Sequence, residues 1–168
     1  MKYCQNCGAE LADEAVTCPK CGAALGGANV AYGSAPANRL KTNRSLLVFI
    51  LLNAITLGIY GLIAMSNVGE SLNCAASKYD GKKTMHYCLL FFIVGPLTLE
   101  IGSLVWFHNM SSRVGNELKR RGIDYSFGAG TFWGWNVLGL LILVGPLVYT
   151  HKLFKAMNLI CEDYNVKG

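Results

Sequence analysis

Three long stretches that are almost free of charge constrain the fold of this 168-residue chain more than any other feature. Ser45 to Gly69 and Tyr125 to His151 contain no Asp, Glu, Lys or Arg, and Thr84 to Ser112 contains only Glu100. Each stretch exceeds the roughly 20 residues that a helix needs to cross a hydrocarbon core of ~30 Å. Because buried helices of soluble proteins usually keep a polar face, we expect these stretches to be embedded in a membrane.

The predicted domain order places a helical membrane domain at the C-terminal end of the chain. It covers residues 44–168 and contains apolar segments at about 45–66, 85–108 and 129–150. Polar helical tails follow the three segments at Asn67–Tyr79, Asn109–Arg121 and His151–Tyr164. The predicted fold class is therefore an all-α membrane domain whose apolar segments carry amphipathic tails.

Each apolar segment contains residues near its middle that weaken a helix. These are Thr56-Leu57-Gly58 with Gly61, then Gly95-Pro96, then Gly145-Pro146, and proline in particular kinks a helix. Basic residues occur in every polar connection, whereas simple crossings should alternate in charge. Two alternatives stay open: three kinked transmembrane helices, or three helical hairpins that turn at these positions and return to the side where they started.

The segments also resemble one another. Thr56-Leu57-Gly58-Ile59 recurs as Thr98-Leu99-Glu100-Ile101, and Val94-Gly95-Pro96-Leu97 recurs unchanged as Val144-Gly145-Pro146-Leu147. Such matches indicate an internal repeat of three units.

Two Cys-x-x-Cys pairs near the N-terminus predict a metal site. Cys4, Cys7, Cys18 and Cys21 together supply four thiolates, a donor set that selects tetrahedral Zn(II). With all four positions filled by protein, the zinc would be structural. Disulfides are a weaker alternative because the two pairs are short and matched, and a redox motif would call for a βαβ context. We predict a small zinc ribbon of β-knuckle type over residues 1–25, joined by a Gly/Ala-rich flexible linker with a basic flank at 26–43.

The chain opens on metal-ligand spacing and not on the apolar core of a signal peptide. We therefore expect an integral protein of the cell membrane whose ribbon lies in the cytoplasm, where thiols stay reduced. The net charge of +5 resides in the polar connections and suits anionic lipid headgroups.

The text Cys-x-x-Cys-Gly-Ala-Glu-Leu followed by Cys-Pro-Lys-Cys-Gly resembles the short zinc ribbons at the N-terminus of many bacterial membrane proteins. The stretch Ile55-Thr56-Leu57-Gly58-Ile59-Tyr60-Gly61-Leu62 resembles the signature of a bacterial membrane domain of unknown function, in which such motifs recur in tandem apolar units. The resemblance implies architecture and no particular activity. The second and third units depart from the motif, with Glu100 and Gly102 at the positions of Gly58 and Tyr60.

Glu100 is the only carboxylate inside an apolar segment, and a carboxyl group at that depth is a functional candidate because it is costly to place there. It could relay protons or bind a cation, or it could serve only the local structure.

His86, His108 and His151 lie at segment edges and are interpreted as interfacial residues. The aromatic group is interpreted as an interfacial belt; it comprises Trp106, Phe107, Tyr125, Phe127, Phe132, Trp133 and Trp135.

No catalytic motif is present: the chain lacks G-x-S-x-G, H-E-x-x-H and a P-loop.

The favoured hypothesis is a non-enzymatic adaptor or assembly factor that lies in the lipid bilayer. It would bind a protein partner through the ribbon and could also self-associate. A small oligomeric transporter or channel subunit is the first alternative. A membrane-tethered nucleic-acid binder is the second and weaker one, because acidic residues outnumber Lys2 and Lys20 in the ribbon.

Overall fold

The structure is a computed structural model that describes residues 39–168 and, near the N-terminus, the strands Lys2–Tyr3 and Glu10–Leu11. The chain divides into two compact units, Met1–Tyr32 and Gly33–Gly168. In the first unit, strand β1 (Lys2–Tyr3) pairs antiparallel with β2 (Glu10–Leu11), with Lys2 opposite Leu11 and Tyr3 opposite Glu10.

Helices make up the described part of the second unit, and they form three hairpins. Hairpin 1 runs out along α1 (Leu46–Ile55) and returns along α2 (Ile59–Asp80). Hairpin 2 runs out through α3 (Tyr87–Leu89), the π-helical segment Leu90–Val94 and α4 (Gly95–Leu97), and returns along α5 (Ile101–Arg120). Hairpin 3 runs out through α6 (Ala129–Thr131), the π-helical segment Phe132–Val137 and the 3-10 segment Leu138–Ile142, and returns along α7 (Gly145–Lys167).

Contacts between the arms show that each hairpin is antiparallel. In hairpin 1 a guanidinium nitrogen of Arg44 donates to the Ser71 hydroxyl at 2.7 Å, which places the start of the outgoing arm beside the far half of α2. In hairpin 2 the indole N–H of Trp106 donates to the carbonyl of Met85 at 2.9 Å. In hairpin 3 the ring centroids of Phe132 and Tyr149 lie 5.7 Å apart. The predicted alternative of three helical hairpins therefore describes the path of the chain.

The hydrophobic core lies between the return arms, in the polar tails that the sequence places after the apolar segments. Its members share spacings of three, four and seven residues along the helices, which keep them on one face. Most of them are Val68, Leu72, Ala75 and Ala76 of α2, Met110, Val114 and Leu118 of α5, and Leu153, Met157 and Ile160 of α7. The outgoing arms contribute little to this core, so the most apolar parts of the sequence are not its centre.

Hairpins 1 and 2 turn at equivalent positions. Leu57 and Gly58 have φ of 51° and 94°, and Leu99 and Glu100 have φ of 49° and 66°. In both turns the second of these residues donates its N–H to the carbonyl five residues earlier, Gly58 to Asn53 at 2.9 Å and Glu100 to Gly95 at 2.8 Å. This is the 6→1 bond of a Schellman-type helix end. The repeated Thr-Leu sequence therefore marks the same kind of turn in both hairpins.

The predicted turn at Gly95-Pro96 is wrong by a few residues. Pro96 lies in the helical turn before the break, at a position where its missing N–H is tolerated. The prediction at Gly145-Pro146 is also wrong, because the chain turns just before it, at Leu143 (φ 59°). Val94–Leu97 therefore ends an outgoing arm, while Val144–Leu147 begins a return arm. The two identical four-residue sequences do not occupy equivalent positions in their hairpins.

Gly145 is needed because the two arms of hairpin 3 approach closely. A Cβ atom added there would overlap the carbonyl oxygen of Trp135 and the backbone of Gly139. Two glycines facing each other let the backbones touch where the chain turns.

Candidate functional site

The predicted zinc ligands Cys4, Cys7, Cys18 and Cys21 lie outside the described residues. In the sequence, Cys4 and Cys7 fall between the paired strands β1 and β2. An antiparallel strand pair around the first Cys-x-x-Cys is what a β-knuckle requires, and four thiols are the donor set that suits zinc. Within residues 39–168, no group of three or more His, Cys, Asp or Glu side chains is arranged to hold a metal ion.

A large apolar surface covers the turn end of the three hairpins, and we call it the tip surface. Leu57, Leu99 and Leu143 occupy the turns and are 94%, 86% and 80% exposed. Around them lie further exposed apolar side chains of both arms: Leu51, Ile55, Ile59, Phe91, Phe92, Ile93, Leu97, Ile101, Leu140, Leu141 and Ile142. Exposed apolar side chains in this number are unusual on the surface of a monomeric soluble protein.

Backbone groups at two of the turns are satisfied by a threonine. The Thr56 hydroxyl donates to the carbonyl of Leu52 at 2.7 Å and accepts from the N–H of Tyr60 at 2.9 Å. The Thr98 hydroxyl likewise donates to the carbonyl of Val94 at 2.6 Å and accepts from the N–H of Gly102 at 2.9 Å. A turn sealed in this way exposes fewer unpaired backbone groups, which is what a non-aqueous surrounding demands.

Glu100 sits at the turn of hairpin 2, in the position that Gly58 takes in hairpin 1. Its carboxylate is exposed and accepts a hydrogen bond from the Ser103 hydroxyl at 2.6 Å. Among the described residues no cationic side chain forms an ion pair with it. The left-handed backbone conformation of Glu100 is strained for a residue with a side chain, by roughly 1–2 kcal/mol.

No helix in the described part of the chain is both long enough and apolar enough to cross a bilayer.

The opposite end of the hairpins is polar and is organised around Arg113 of α5. Its side chain is 8% exposed and donates to Asp80 at 2.5 and 3.1 Å, to Asn73 at 2.6 Å and to Thr84 at 2.8 Å. It also donates to the Ser77 hydroxyl and to the carbonyl of Lys82. These bonds tie α2, α5 and the 81–86 connection into one piece. Hydrogen bonds from Arg113 hold the pKa of Asp80 below its ordinary value. Burial acts to raise this pKa, but its effect is smaller.

A second charged network joins hairpins 2 and 3. Glu117 accepts from Arg120 at 2.6 Å and from Arg121 at 2.7 Å, and Arg121 donates onward to Asp163 of α7 at 2.8 Å. Burial acts to raise the pKa of Glu117, but the hydrogen bonds from Arg120 and Arg121 outweigh it, so the pKa lies below its ordinary value. The pKa of Asp163 is lowered in the same way, with Lys167 and Arg121 outweighing burial.

Two asparagines of α7 hold the extended segment that precedes α1. Asn158 accepts from the N–H of Arg44 at 3.1 Å and donates to its carbonyl at 3.0 Å. Asn165 does the same for Leu40, at 2.7 and 2.8 Å. The two asparagines stand seven residues apart, two helical turns, and so face the segment together.

The other residues singled out by sequence lie in separate places. His86 is 3.3 Å from Glu70, His108 accepts from the indole N–H of Trp133 at 3.0 Å, and His151 is exposed. The aromatic residues differ in their exposure to solvent. Trp133 and Trp135 are exposed, whereas Phe127, Phe132 and Trp106 are buried. The interpretation of the whole group as an interfacial belt is therefore wrong for its buried members, which pack in the core.

Two family models match the chain. Residues 3–25, which include all four cysteines of the predicted metal site, match a zinc-ribbon domain. Residues 44–116 match a domain of unknown function, DUF4234. The second match covers hairpin 1 and most of hairpin 2, the two hairpins that share the Thr-Leu turn. No curated protein and no solved structure matches the chain.

Sequence reasoning missed the Arg113 network. The charge was visible, but its partners Asn73 and Asp80 precede it by 40 and 33 residues. A single basic residue close to the end of an otherwise apolar stretch was the one local signal for it.

Proposed function

We propose that the chain is a non-enzymatic adaptor of the cell membrane. Its three hairpins would embed in the cytoplasmic leaflet, and its zinc ribbon would bind a protein partner on the cytoplasmic side. The observation that carries this proposal is the tip surface, in which the turns of all three hairpins present leucine to the surroundings. Fully transferring one such side chain out of water contributes roughly 1.5–3 kcal/mol.

The dimensions of the hairpins support insertion into one leaflet. The outgoing helix α1 has 10 residues, and at 1.5 Å per residue it is about 15 Å long. That is half of a hydrocarbon core of about 30 Å. A hairpin of this length reaches the middle of the bilayer and returns, and the threonine bonds at its turn supply the backbone partners that lipid cannot.

The charge distribution supports the same orientation. Every polar connection carries basic residues, and the antiparallel hairpins bring all of these connections to one end of the helical unit. Those cations suit the anionic headgroups of a cytoplasmic leaflet. The exposed basic residues that form no ion pair with another described residue are Arg39, Lys41, Lys78, Lys82, Lys83, Lys119 and Lys155.

In this proposal Cys4, Cys7, Cys18 and Cys21 hold one structural Zn(II). Bound zinc supplies the folding energy of a module too small to fold on apolar burial alone. The four cysteines leave no coordination position for water or substrate, which favours a binding role over a catalytic one.

The orientation is tested by inserting a short epitope at Lys83 in one version of the chain and at Asp124 in another. Both positions are exposed and lie in connections at the polar end. We expect antibodies to reach both epitopes from the cytoplasmic face of inverted membrane vesicles and neither from the opposite face. Detection of the two epitopes on opposite faces would instead establish a spanning helix between them and overturn the one-leaflet arrangement.

The adaptor role is tested by crosslinking in native membranes and purification in mild detergent, beside a Cys18→Ser/Cys21→Ser version. We expect a defined protein to accompany the intact chain and to be lost with the altered ribbon. Capture of the same proteins by both versions would refute recruitment through the ribbon.

A second candidate, an oligomeric transporter or channel subunit, is favoured by one observation, the exposed carboxylate of Glu100 among apolar residues. In that case Glu100→Gln would abolish ion flux in proteoliposomes. The adaptor proposal expects no flux from either version.

A further inference from the structure

A long groove of about 980 Å³ runs along one face of α5, beside the 81–86 connection and the end of the outgoing arm of hairpin 2. Its volume is at the upper end of the range for ligand sites. Residues of α5 line it from Ile101, next to the turn, to Arg120 at the polar end. These two positions are 19 residues apart, so the groove extends over about 28 Å.

The polar end of the groove is positively charged. Its lining includes Asp80 and Glu117, but both carboxylates are already paired with arginines. Lys82 and Lys83 are exposed there, and neither forms an ion pair with another described residue. The groove therefore presents a net positive end to a ligand.

The backbone that carries these lysines is held in place. The N–H of Lys82 donates to Asp80 at 2.9 Å, and the carbonyl of Lys82 accepts from Ser77 at 2.7 Å and from Arg113 at 2.6 Å. A fixed loop of this kind loses little conformational freedom when a ligand binds, which favours affinity.

The other end of the groove is apolar and opens onto the tip surface. Ile101 and Val105 line it and are 64% and 53% exposed. Trp106 lies where the lining changes from apolar to polar, with its indole N–H donating to the carbonyl of Met85 at 2.9 Å. Tryptophan favours such a boundary because its ring is apolar and its N–H is polar.

We propose that this groove binds one anionic phospholipid of the leaflet in which the hairpins sit. The phosphate lies between Lys82 and Lys83, and an acyl chain follows Val105 and Ile101 toward the turn. The change from cationic to apolar lining along one helix face matches the two parts of such a molecule. A leaflet with its headgroups is about 20–22 Å thick, so the groove is long enough for the whole lipid. The inference rests on the proposed membrane function, which supplies the lipid.

The test uses the full chain reconstituted in mixed bilayers of phosphatidylglycerol and phosphatidylcholine, released into mild detergent and analysed by native mass spectrometry. We expect one bound lipid with a strong preference for phosphatidylglycerol. In Lys82→Ala/Lys83→Ala that preference should fall about 30-fold, because each lysine near an anionic surface contributes a factor of about five. Lys152→Ala/Lys155→Ala removes the same charge from hairpin 3 and should keep the preference.

A second variant, Val105→Trp, fills the apolar half without changing charge and should reduce lipid occupancy. Equal loss in both double-lysine variants, or full occupancy in Val105→Trp, would overturn the groove as the site. Flotation on pure phosphatidylcholine vesicles separates the two proposals. A chain that floats but retains no phosphatidylglycerol refutes the lipid site alone, whereas a chain that does not float refutes membrane insertion and the lipid site together.

Discussion

Arg113 shows how much a single residue does in the helical unit. Its guanidinium is 8% exposed and fills all its donor positions with groups from α2 and the 81–86 connection. A planar fork of five donors is needed for that pattern, and lysine offers only a point charge. The residue therefore fixes the geometry of the polar end as well as its charge.

Replacing Arg113 by lysine should destabilise the helical unit by about 2–3 kcal/mol, because hydrogen bonds to charged groups are lost and buried acceptors stay unpaired. The measurement is the free energy of unfolding by denaturant in detergent, with Arg39→Lys as the exposed control. A lysine variant as stable as the unaltered chain would show that the network is not needed for stability.

In the proposed membrane arrangement, Glu100, which follows Leu99 of the tip surface, opposes insertion. A carboxylate in the middle of a bilayer costs about 2.5–3.5 kcal/mol on insertion scales, less where it keeps a hydrogen bond. We expect Glu100→Gln to raise affinity for neutral vesicles by about tenfold, measured by flotation. Glu162→Gln, an exposed position near the polar end, should change nothing. Weaker vesicle binding by Glu100→Gln would mean that this turn does not enter the lipid.

Among the hairpin turns, only the first lies where the sequence predicted it, at Thr56-Leu57-Gly58. The Thr56–Ile59 and Thr98–Ile101 repeat marks two equivalent turns, because threonine and a left-handed pair of residues recur at the same offset. The Val94–Leu97 repeat misled, because Gly-Pro begins a helical element in both places. The first of these elements, α4, has three residues and ends an outgoing arm, whereas the second, α7, is itself a return arm. The local sequence alone does not distinguish the end of an outgoing arm from the start of a return arm.

The location of the core was also hard to predict. Its buried positions include Ala75, Ala76 and Met110 in segments that also carry Lys78 and Arg113. Small and flexible side chains give a weak periodic signal next to the long leucine-rich segments. The zinc ligands, by contrast, follow from spacing alone and stay a prediction, since they lie outside the described residues.

The role of the turns as elements is tested at Leu57, whose φ is 51°. Aspartate tolerates the left-handed conformation better than leucine, so Leu57→Asp should keep the hairpin intact while lowering vesicle affinity at least tenfold. Circular dichroism checks the helices and flotation checks binding. Val166→Asp makes the same change at an exposed apolar residue near the polar end, and equal losses for both variants would contradict a special role for the turns.

At the scale of the whole molecule, the described unit is polar and charged where it is well packed and apolar where it is exposed. Three carboxylates at the packed end, Asp80, Glu117 and Asp163, have pKa values lowered by their cationic partners. A carboxylate with a lowered folded-state pKa contributes stability above its unfolded pKa, and that contribution is lost as the pH falls through the folded value.

Between about pH 5 and pH 8 the unit should therefore keep a constant free energy of unfolding, and it should lose stability progressively below about pH 4, where unfolded carboxylates take up protons. Denaturant unfolding in detergent across this range is the measurement. Asp163→Asn should reduce the size of the acid effect. Stability that rises on acidification would show that these carboxylates are not held by their arginines.

The bonds of Asn165 to Leu40 have a consequence for how the helical unit can be rearranged. They place Leu40, near the first described residue of the unit, beside Asn165, near its last, so the two ends of the helical unit are adjacent. A circular permutant could join these ends with a short linker and begin instead in the 122–128 connection, leaving every hairpin whole. The arrangement of the three hairpins in space would then be set by the packing of their helices and not by their order along the chain.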